Sequence, residues 1–179
     1  MRIISGKYKG RRITAPKKLP VRPTTDFAKE ALFNILNNNY YFNEISLLDL
    51  FSGTGNISFE FASRECTEIT AVDLNYGCVQ FINKTSEELD FQIHTIKSDV
   101  FKYLEKAKLN VDVVFADPPY DFSDEQFNRI VDLVFENNFL SNNGMLIIEH
   151  SKHTKLSDHQ HFSYDKRYGG SVFSFFENN

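Results

Sequence analysis

Asp117-Pro118-Pro119-Tyr120 is the segment whose residue types most narrowly define a chemistry. Two successive prolines fix a stiff extended turn without backbone donors, so its carbonyls point outward as acceptors. A carboxylate, a proline carbonyl and an aromatic ring then converge on one point. That set suits the exocyclic amine of a nucleic-acid base. Such a nitrogen is a poor nucleophile, because its lone pair is delocalised into the ring. Accepting hydrogen bonds from both of its N–H groups localises the lone pair and aims it at a sulfonium methyl. Tyr120 can stack on the base and hold it outside its duplex or loop. Taken alone, the four residues can also be a Pro-Pro turn closing a strand, with Asp117 as a cap.

Three more carboxylates precede this segment. Asp49-Leu-Phe51-Ser-Gly53-Thr-Gly55 lies where a predicted strand turns into a helix. Glycines there allow close approach of the backbone to a ligand, and the helix start offers free N–H groups. The third glycine of a dinucleotide fingerprint is replaced by Ser58. Asp73, followed by Leu74, ends the second strand, where a carboxylate can take both hydroxyls of a ribose. Asp99, followed by Val100, comes after the third strand, within reach of an adenine amino group. Each aspartate alone reads as a loop residue or helix cap. Three of them ending successive strands on one crevice carry more weight. A nicotinamide enzyme and an S-adenosylmethionine enzyme fit these positions equally, since both ligands contain adenosine. Asp117–Tyr120 separates the two, because a nicotinamide enzyme leaves it unexplained.

These residues need strands to position them. Strand candidates are Ser46–Leu50, Glu68–Asp73, Phe91–Lys97, Val111–Ala116 and Met145–Glu149, with helices near 56–64, 76–89, 100–107 and 124–138. Short β-rich runs alternating with helices predict parallel strands buried on both faces. His161–Lys166 and Ser171–Phe176, flanking Tyr168-Gly169-Gly170, predict a closing antiparallel hairpin. The fold expected is a doubly wound α/β sheet, mostly parallel, with no internal repeat. Ahead of it, Thr25 or Asp26 caps a helix to about Leu36, with Phe27, Ala31, Leu32, Ile35 and Leu36 expected on its buried face. Arg2–Ser5 and Arg11–Thr14 read as a strand pair with a basic tip bracketed by Gly6 and Gly10. Pro16, Pro20 and Pro23 mark an extended linker. Residues 1–24 are thus expected as a basic arm and 25–179 as the catalytic domain.

The 179 residues carry a net charge of −4, which globally disfavours a general nucleic-acid binder. The distribution reverses that reading. Arg2, Lys7, Lys9, Arg11, Arg12, Lys17, Lys18 and Arg22 supply 8 of the 20 basic residues within the first 25 positions, where no acid occurs. A basic arm on an acidic body suits contact with phosphates, though a merely solvated terminus has the same composition. Cys66 and Cys78, the only cysteines, sit in or beside predicted helices, so no disulfide is expected and a reducing cytoplasm is. No apolar run has membrane-spanning length. His150, His153, His159 and His161 crowd one stretch with Asp158, but their spacing matches no metal site and a solvated loop is expected. Glu149 either faces the crevice or joins a salt bridge. A monomer is expected, for want of an apolar surface stripe.

Arg2-Ile-Ile-Ser-Gly-Lys-Tyr-Lys-Gly-Arg-Arg-Ile13, Arg22-Pro-Thr-Thr-Asp26 with Glu30-Ala-Leu-Phe-Asn34, the Asp49–Gly55 loop with Glu60 and Ser63-Arg64, Asp117–Tyr120 and Tyr168-Gly169-Gly170 together resemble the RsmD-type 16S rRNA guanine-N2 methyltransferases. The resemblance spans nearly the whole chain, and the Arg-Pro-Thr-Thr-Asp segment is its most selective part. Ser5 and Asn56 depart from it, standing where a glycine and an apolar residue are expected. It implies a seven-stranded methyltransferase fold and S-adenosylmethionine as methyl donor, with no metal. The methionine end would meet Asp49, Phe51, Gly53 and Gly55, the ribose Asp73 and Leu74, and the adenine Asp99 and Val100, with Thr25 and Asp26 beside the pocket. It also implies RNA of assembled or assembling small subunits as substrate, docked through the basic arm. An adenine-N6 DNA methyltransferase and a catalytically silent RNA-binding assembly factor are the competing readings. The first ordinarily needs a recognition domain, and the second leaves the intact tetrapeptide without a purpose.

Overall fold

Strands β1 (Ser46–Leu50), β2 (Glu68–Asp73), β3 (Ile93–Lys97), β4 (Val111–Ala116), β5 (Leu140–Ser151), β6 (Phe162–Tyr168) and β7 (Ser171–Glu177) form one sheet in the computed structural model, which describes residues 1–20 and 24–178. The spatial order is β3-β2-β1-β4-β5-β7-β6. The first five strands run parallel, and β7 is antiparallel to both β5 and β6. Burial follows position. Central β1 is buried at every residue, whereas edge strand β6 alternates polar and half-buried positions.

Helices α1 (Asp26–Asn39), α2 (Asn56–Ser63) and α3 (Tyr76–Leu89) cover one face of the sheet, and α4 (Val100–Lys106) and α5 (Asp124–Glu136) the other. Four helix starts are built by side-chain caps: Thr25, Asn75, Asp99 and Ser123 each accept a backbone N–H of the first turn. The seven strands and the closing hairpin stand as expected, with shifts at the margins: β6 runs Phe162–Tyr168 where His161–Lys166 is expected, β7 extends to Glu177, and β3 and β5 begin at other residues. β3 begins at Ile93 because Phe91 turns into the core against Tyr8 and Phe59. β5 begins at Leu140 and reaches Met145 across a register shift opposite Val111–Val113.

The buried face of α1 differs from the expected one. Ala28, Lys29, Leu32, Phe33 and Leu36 are buried, while Phe27 is 67% exposed. Apolar periodicity counts Lys29 as a surface residue, yet its ammonium lies 3.2 Å from the carboxylate of Glu60, itself fully buried in α2. That pairing rotates the stripe.

The basic arm forms a hairpin held by a single antiparallel bridge, Arg2 to Arg12, in place of two strands. Ile3, Gly10 and Ile13 N–H bond across the hairpin, and four further arm donors go to α2. Ile4 and Ser5 N–H bond the Glu60 carboxylate, Lys7 N–H the Ser63 carbonyl, and Tyr8 N–H the Ser63 hydroxyl. Gly6 makes this contact possible. Its φ is +83°, and a Cβ there would stand 1.8 Å from the Ser63 carbonyl oxygen. Ile3 and Ile13 join the buried cluster that holds Phe33 and Phe61. With sheet on one side and arm on the other, every residue of α2 is buried. Among the described residues no helix is long and apolar enough to cross a membrane.

Candidate active site

A cleft of about 900 Å³ opens at the C-terminal ends of the parallel strands. Of the expected cofactor residues, Asp49, Phe51, Gly53, Asp73, Leu74, Asp99 and Val100 line it, and so do Asp117, Pro118, Pro119 and Tyr120. The strand order explains the convergence. β1 is paired with β2 on one side and β4 on the other, so the loops after all three strands meet above one edge.

Asp49 is 2% exposed, and its Oδ2 accepts the N–H (3.2 Å) and hydroxyl (2.5 Å) of Ser58. The serine in the third-glycine position therefore clamps the strand-end carboxylate to the first turn of α2. Burial pushes the Asp49 carboxyl up to about 7, against the hydrogen bonds from Ser58. A carboxyl raised on folding binds protons that the unfolded chain has lost. Stability of the ligand-free protein should therefore fall as pH rises from about 4 to 7. Asp49→Asn is expected to flatten that part of the stability curve in urea titrations at a series of pH values. An unchanged slope in the variant would rule Asp49 out as its source.

Asp73 takes the Gly53 N–H on one oxygen and the Asn75 N–H on the other, both at 2.8 Å, which fixes its carboxylate at the cleft wall. Asp99 caps α4 through the Lys102 N–H while lining the cleft. Gly55 does not line it. With φ +77° it caps α2, and a Cβ there would meet Ile82 at 2.9 Å, so this glycine serves helix packing. Thr25 is the N-cap of α1 and Asp26 pairs with Arg2 at 3.2 Å. The neighbouring Thr24 is the residue of that segment in the cleft wall. Arg22 and Pro23 lie outside the described residues.

At the catalytic end, Phe122 N–H bonds the Pro119 carbonyl, closing the turn. Pro118 lines the cleft, and no hydrogen bond to its carbonyl is found among the described residues. Tyr120 is 46% exposed at the rim. Phe122 stacks on Phe101 and meets Phe51 edge-on, giving the cleft an aromatic wall. Phe51 holds a left-handed φ of 57° in the loop, a strained geometry that recurs at ligand sites.

Pro20, Thr24, Asn56, Phe101 and Phe122 were not anticipated as cleft residues. Phe101 and Phe122 sit one or two positions past predicted site residues, so chain proximity was their only signal. Asn56 answers a departure noted above. It is buried, accepts from Lys29 Nζ at 2.9 Å and donates to the Thr24 carbonyl at 3.1 Å. An apolar residue could bridge neither. Glu149 also stays inside, accepting from the hydroxyls of Thr24 and Ser171.

The histidines are not all in a solvated loop. His150 lies buried within β5, 2.8 Å from the Ser174 hydroxyl. His159 meets Asp132 at 3.1 Å, and His161 stacks on Phe135. His150 belongs to the longer β5, while His159 and His161 lie in the turn before β6. Among the described residues no His, Cys, Asp or Glu group is arranged to hold a metal. Cys66 and Cys78 are free and buried, with burial raising their thiols to about 12 and 11.

The cleft's charge distinguishes between its two adenosine-containing candidates. Four aspartates and no Lys or Arg line it among the described residues. Such a lining among the described residues is of opposite charge to a sulfonium cofactor and less suited to a dinucleotide pyrophosphate. Ser52 adds a second fit, because its buried hydroxyl in the loop lacks a partner that a polar ligand group can supply.

The sheet order and its flanking helices define a Rossmann-like methyltransferase fold. A solved chain from Escherichia coli, described provisionally as a methyltransferase, superposes with a TM-score of 0.84 at 25% identity, covering 98% of this chain and 96% of that one. A provisionally described methylase from Haemophilus influenzae gives 0.79 at 28% identity, covering 99% and 97%. A provisionally described methyltransferase solved with S-adenosylhomocysteine shares the fold, at a TM-score of 0.67 and 20% identity over 83% of this chain and 49% of that one. The family model described as Conserved hypothetical protein 95 matches residues 1–177. Ribosomal RNA small subunit methyltransferase D of Buchnera aphidicola (subsp. Baizongia pistaciae) is 33% identical over 150 residues, covering 83% of this chain and 75% of the relative. Its namesake in Haemophilus influenzae is 31% identical over 161 residues, covering 87% and 81%. The chain belongs to this RsmD-type family of ribosomal RNA methyltransferases.

Proposed function

We propose that this chain transfers a methyl group from S-adenosylmethionine to N2 of a guanine in 16S rRNA, within assembled or assembling small subunits, acting as a monomer. The observation that carries the reading is the acidic cleft that ends at Asp117-Pro118-Pro119-Tyr120. Family membership supports the coarser statement, methylation of ribosomal RNA, and the chemistry of the site supports the amine as its target.

S-adenosylmethionine supplies an electrophilic methyl on a positively charged sulfur. The protein holds it at Gly53 and Ser52 beside the loop, at Asp73 and Leu74 for the ribose, and at Asp99, Val100 and Phe101 for the adenine. Asp117 and the Pro118 carbonyl accept the two amine hydrogens, and Tyr120 stacks on the extruded base. Arg2, Lys7, Lys9, Arg11, Arg12, Lys17, Lys18 and Arg22 are the proposed phosphate contacts, which position the substrate without reading its sequence. Arg2 gives the weakest contribution, being already paired with Asp26.

Small subunits from a strain lacking the gene, incubated with labelled S-adenosylmethionine and digested to nucleosides, should yield N2-methylguanosine. Label in duplex DNA as N6-methyl-2′-deoxyadenosine would replace this reading with the DNA enzyme. Cofactor binding without transfer to either substrate would leave the silent assembly factor.

A further inference from the structure

Lys7, Lys9 and Lys17 of the arm stand outside a groove that gathers three of its other cations. Arg2 is paired with Asp26. Arg11, Arg12 and Lys18 border this groove of about 490 Å³ between the arm and α3, whose opposite wall carries Lys84. Glu88 is the single carboxylate in that lining. No ion pair of these four cations is found among the described residues, although the chain has 24 acidic side chains to offer. Lys29 and Arg64 share Glu60 and Arg129 reaches two glutamates, but most other cations among the described residues likewise have no ion pair, so what sets these four apart is that they gather around one groove with a single carboxylate. Four unpaired cations around one open groove repel each other, and a polyanion removes that repulsion.

The groove's place narrows the occupant. Leu19 and Gly77 line the groove, while Pro20 and Asn75, beside them in the chain, line the cofactor cleft. The rim between the two is closed, since a Cβ on Gly77 would stand 2.9 Å from Leu19 Cδ2. A chain lying in the groove therefore runs along the outer wall of the cleft. It is kept out of the cofactor's own space, which is acidic and repels phosphate.

We propose that this groove binds the phosphodiester backbone of the RNA substrate, with Lys84 of α3 as a contact lying outside the basic arm. The proposal rests on the RNA-methyltransferase reading above. Lys84 is exposed and its replacement leaves the core untouched. The test is therefore direct binding, independent of methyl transfer: fluorescence anisotropy of a short labelled single-stranded RNA against wild type and Lys84→Glu over a series of salt concentrations. Kd should rise about tenfold in the variant, and the slope of log Kd against log salt should fall by about one or more. Lys84→Arg should bind as wild type, the cofactor Kd should not change, and the KM for small subunits should rise in parallel with the RNA Kd. RNA binding equal in wild type and Lys84→Glu, or none by either at low salt, overturns the groove. A raised KM for subunits with unchanged RNA binding also overturns it, by pointing to an acidic ribosomal protein as the occupant. Wild-type RNA binding that depends on Lys84, with no methyl transfer to subunits, would keep the groove and remove the enzymatic reading.

Discussion

Asp117→Ala should lower methyl transfer to small subunits by about a thousandfold or more while leaving the cofactor Kd nearly unchanged. The two readouts separate because Asp117 stands at the substrate end of the cleft, beyond the loop and strand-end carboxylates that surround the cofactor's place. An exocyclic base amine has little nucleophilic character until both hydrogens are engaged. Loss of one acceptor leaves the Pro118 carbonyl to orient the nitrogen alone. Asp117→Asn makes the argument sharper, because the amide retains one acceptor oxygen but lacks the carboxylate's charge. It should fall between alanine and wild type. The fold should tolerate both changes, since the Asp117 side chain is half-buried at the mouth while the backbone it stands on is held by β4. Single-turnover transfer from labelled cofactor, with calorimetric titration of the same variant, measures both quantities. Wild-type turnover in Asp117→Ala would remove the proposed mechanism entirely.

The parts of this molecule that could be read from residue order are those in which one segment contains its own instructions. β1, β2 and β4 were bounded to the residue by short runs of branched and aliphatic side chains, because strands buried on both faces need no outside partner to explain their composition. The same holds for the cofactor loop, where glycine spacing and a strand-end aspartate sit within a few positions. What stayed hidden depends on partners distant in the chain. Lys29 looks like a surface lysine until Glu60 is placed beside it. Thr24 enters the cleft wall because Asn56 bonds its carbonyl and Glu149 its hydroxyl, contacts spanning 32 and 125 positions. Ser58 reads as a missing glycine until its hydroxyl is seen on Asp49. In each case a polar side chain is buried against a partner, and only the fold supplies that partner.

That same buried network sets the second large effect. Glu60→Ala should destabilise the protein by about 4 kcal/mol and Lys29→Met by about half as much, a difference in order that follows from how many partners each leaves behind. Glu60 receives Lys29, Arg64 and the backbone N–H groups of Ile4 and Ser5. Its removal strands a buried ammonium with only the Arg2 carbonyl and the Asn56 amide oxygen to solvate it, and leaves two arm donors without acceptors. Removal of Lys29 leaves the Glu60 carboxylate still paired with Arg64 and still accepting both arm N–H groups. Methionine also refills much of the lysine stem's volume. Burial already pulls the Lys29 ammonium below the usual lysine range, against the attraction of Glu60, which marks desolvation as the dominant cost of holding it there. Urea unfolding of both single variants and of Lys29→Met/Glu60→Gln gives the ordering. The double variant should recover part of the loss, since a neutral amide still accepts from one arm N–H and no buried ammonium remains, though Arg64 loses its carboxylate. The network joins the arm to α2, so Glu60→Ala should also release the arm, seen as faster amide exchange at Ile4, Ser5, Lys7 and Tyr8 than in Lys29→Met. Equal destabilisation by the two single variants would mean that the ion pair alone, and not the arm's backbone donors, accounts for the role of Glu60.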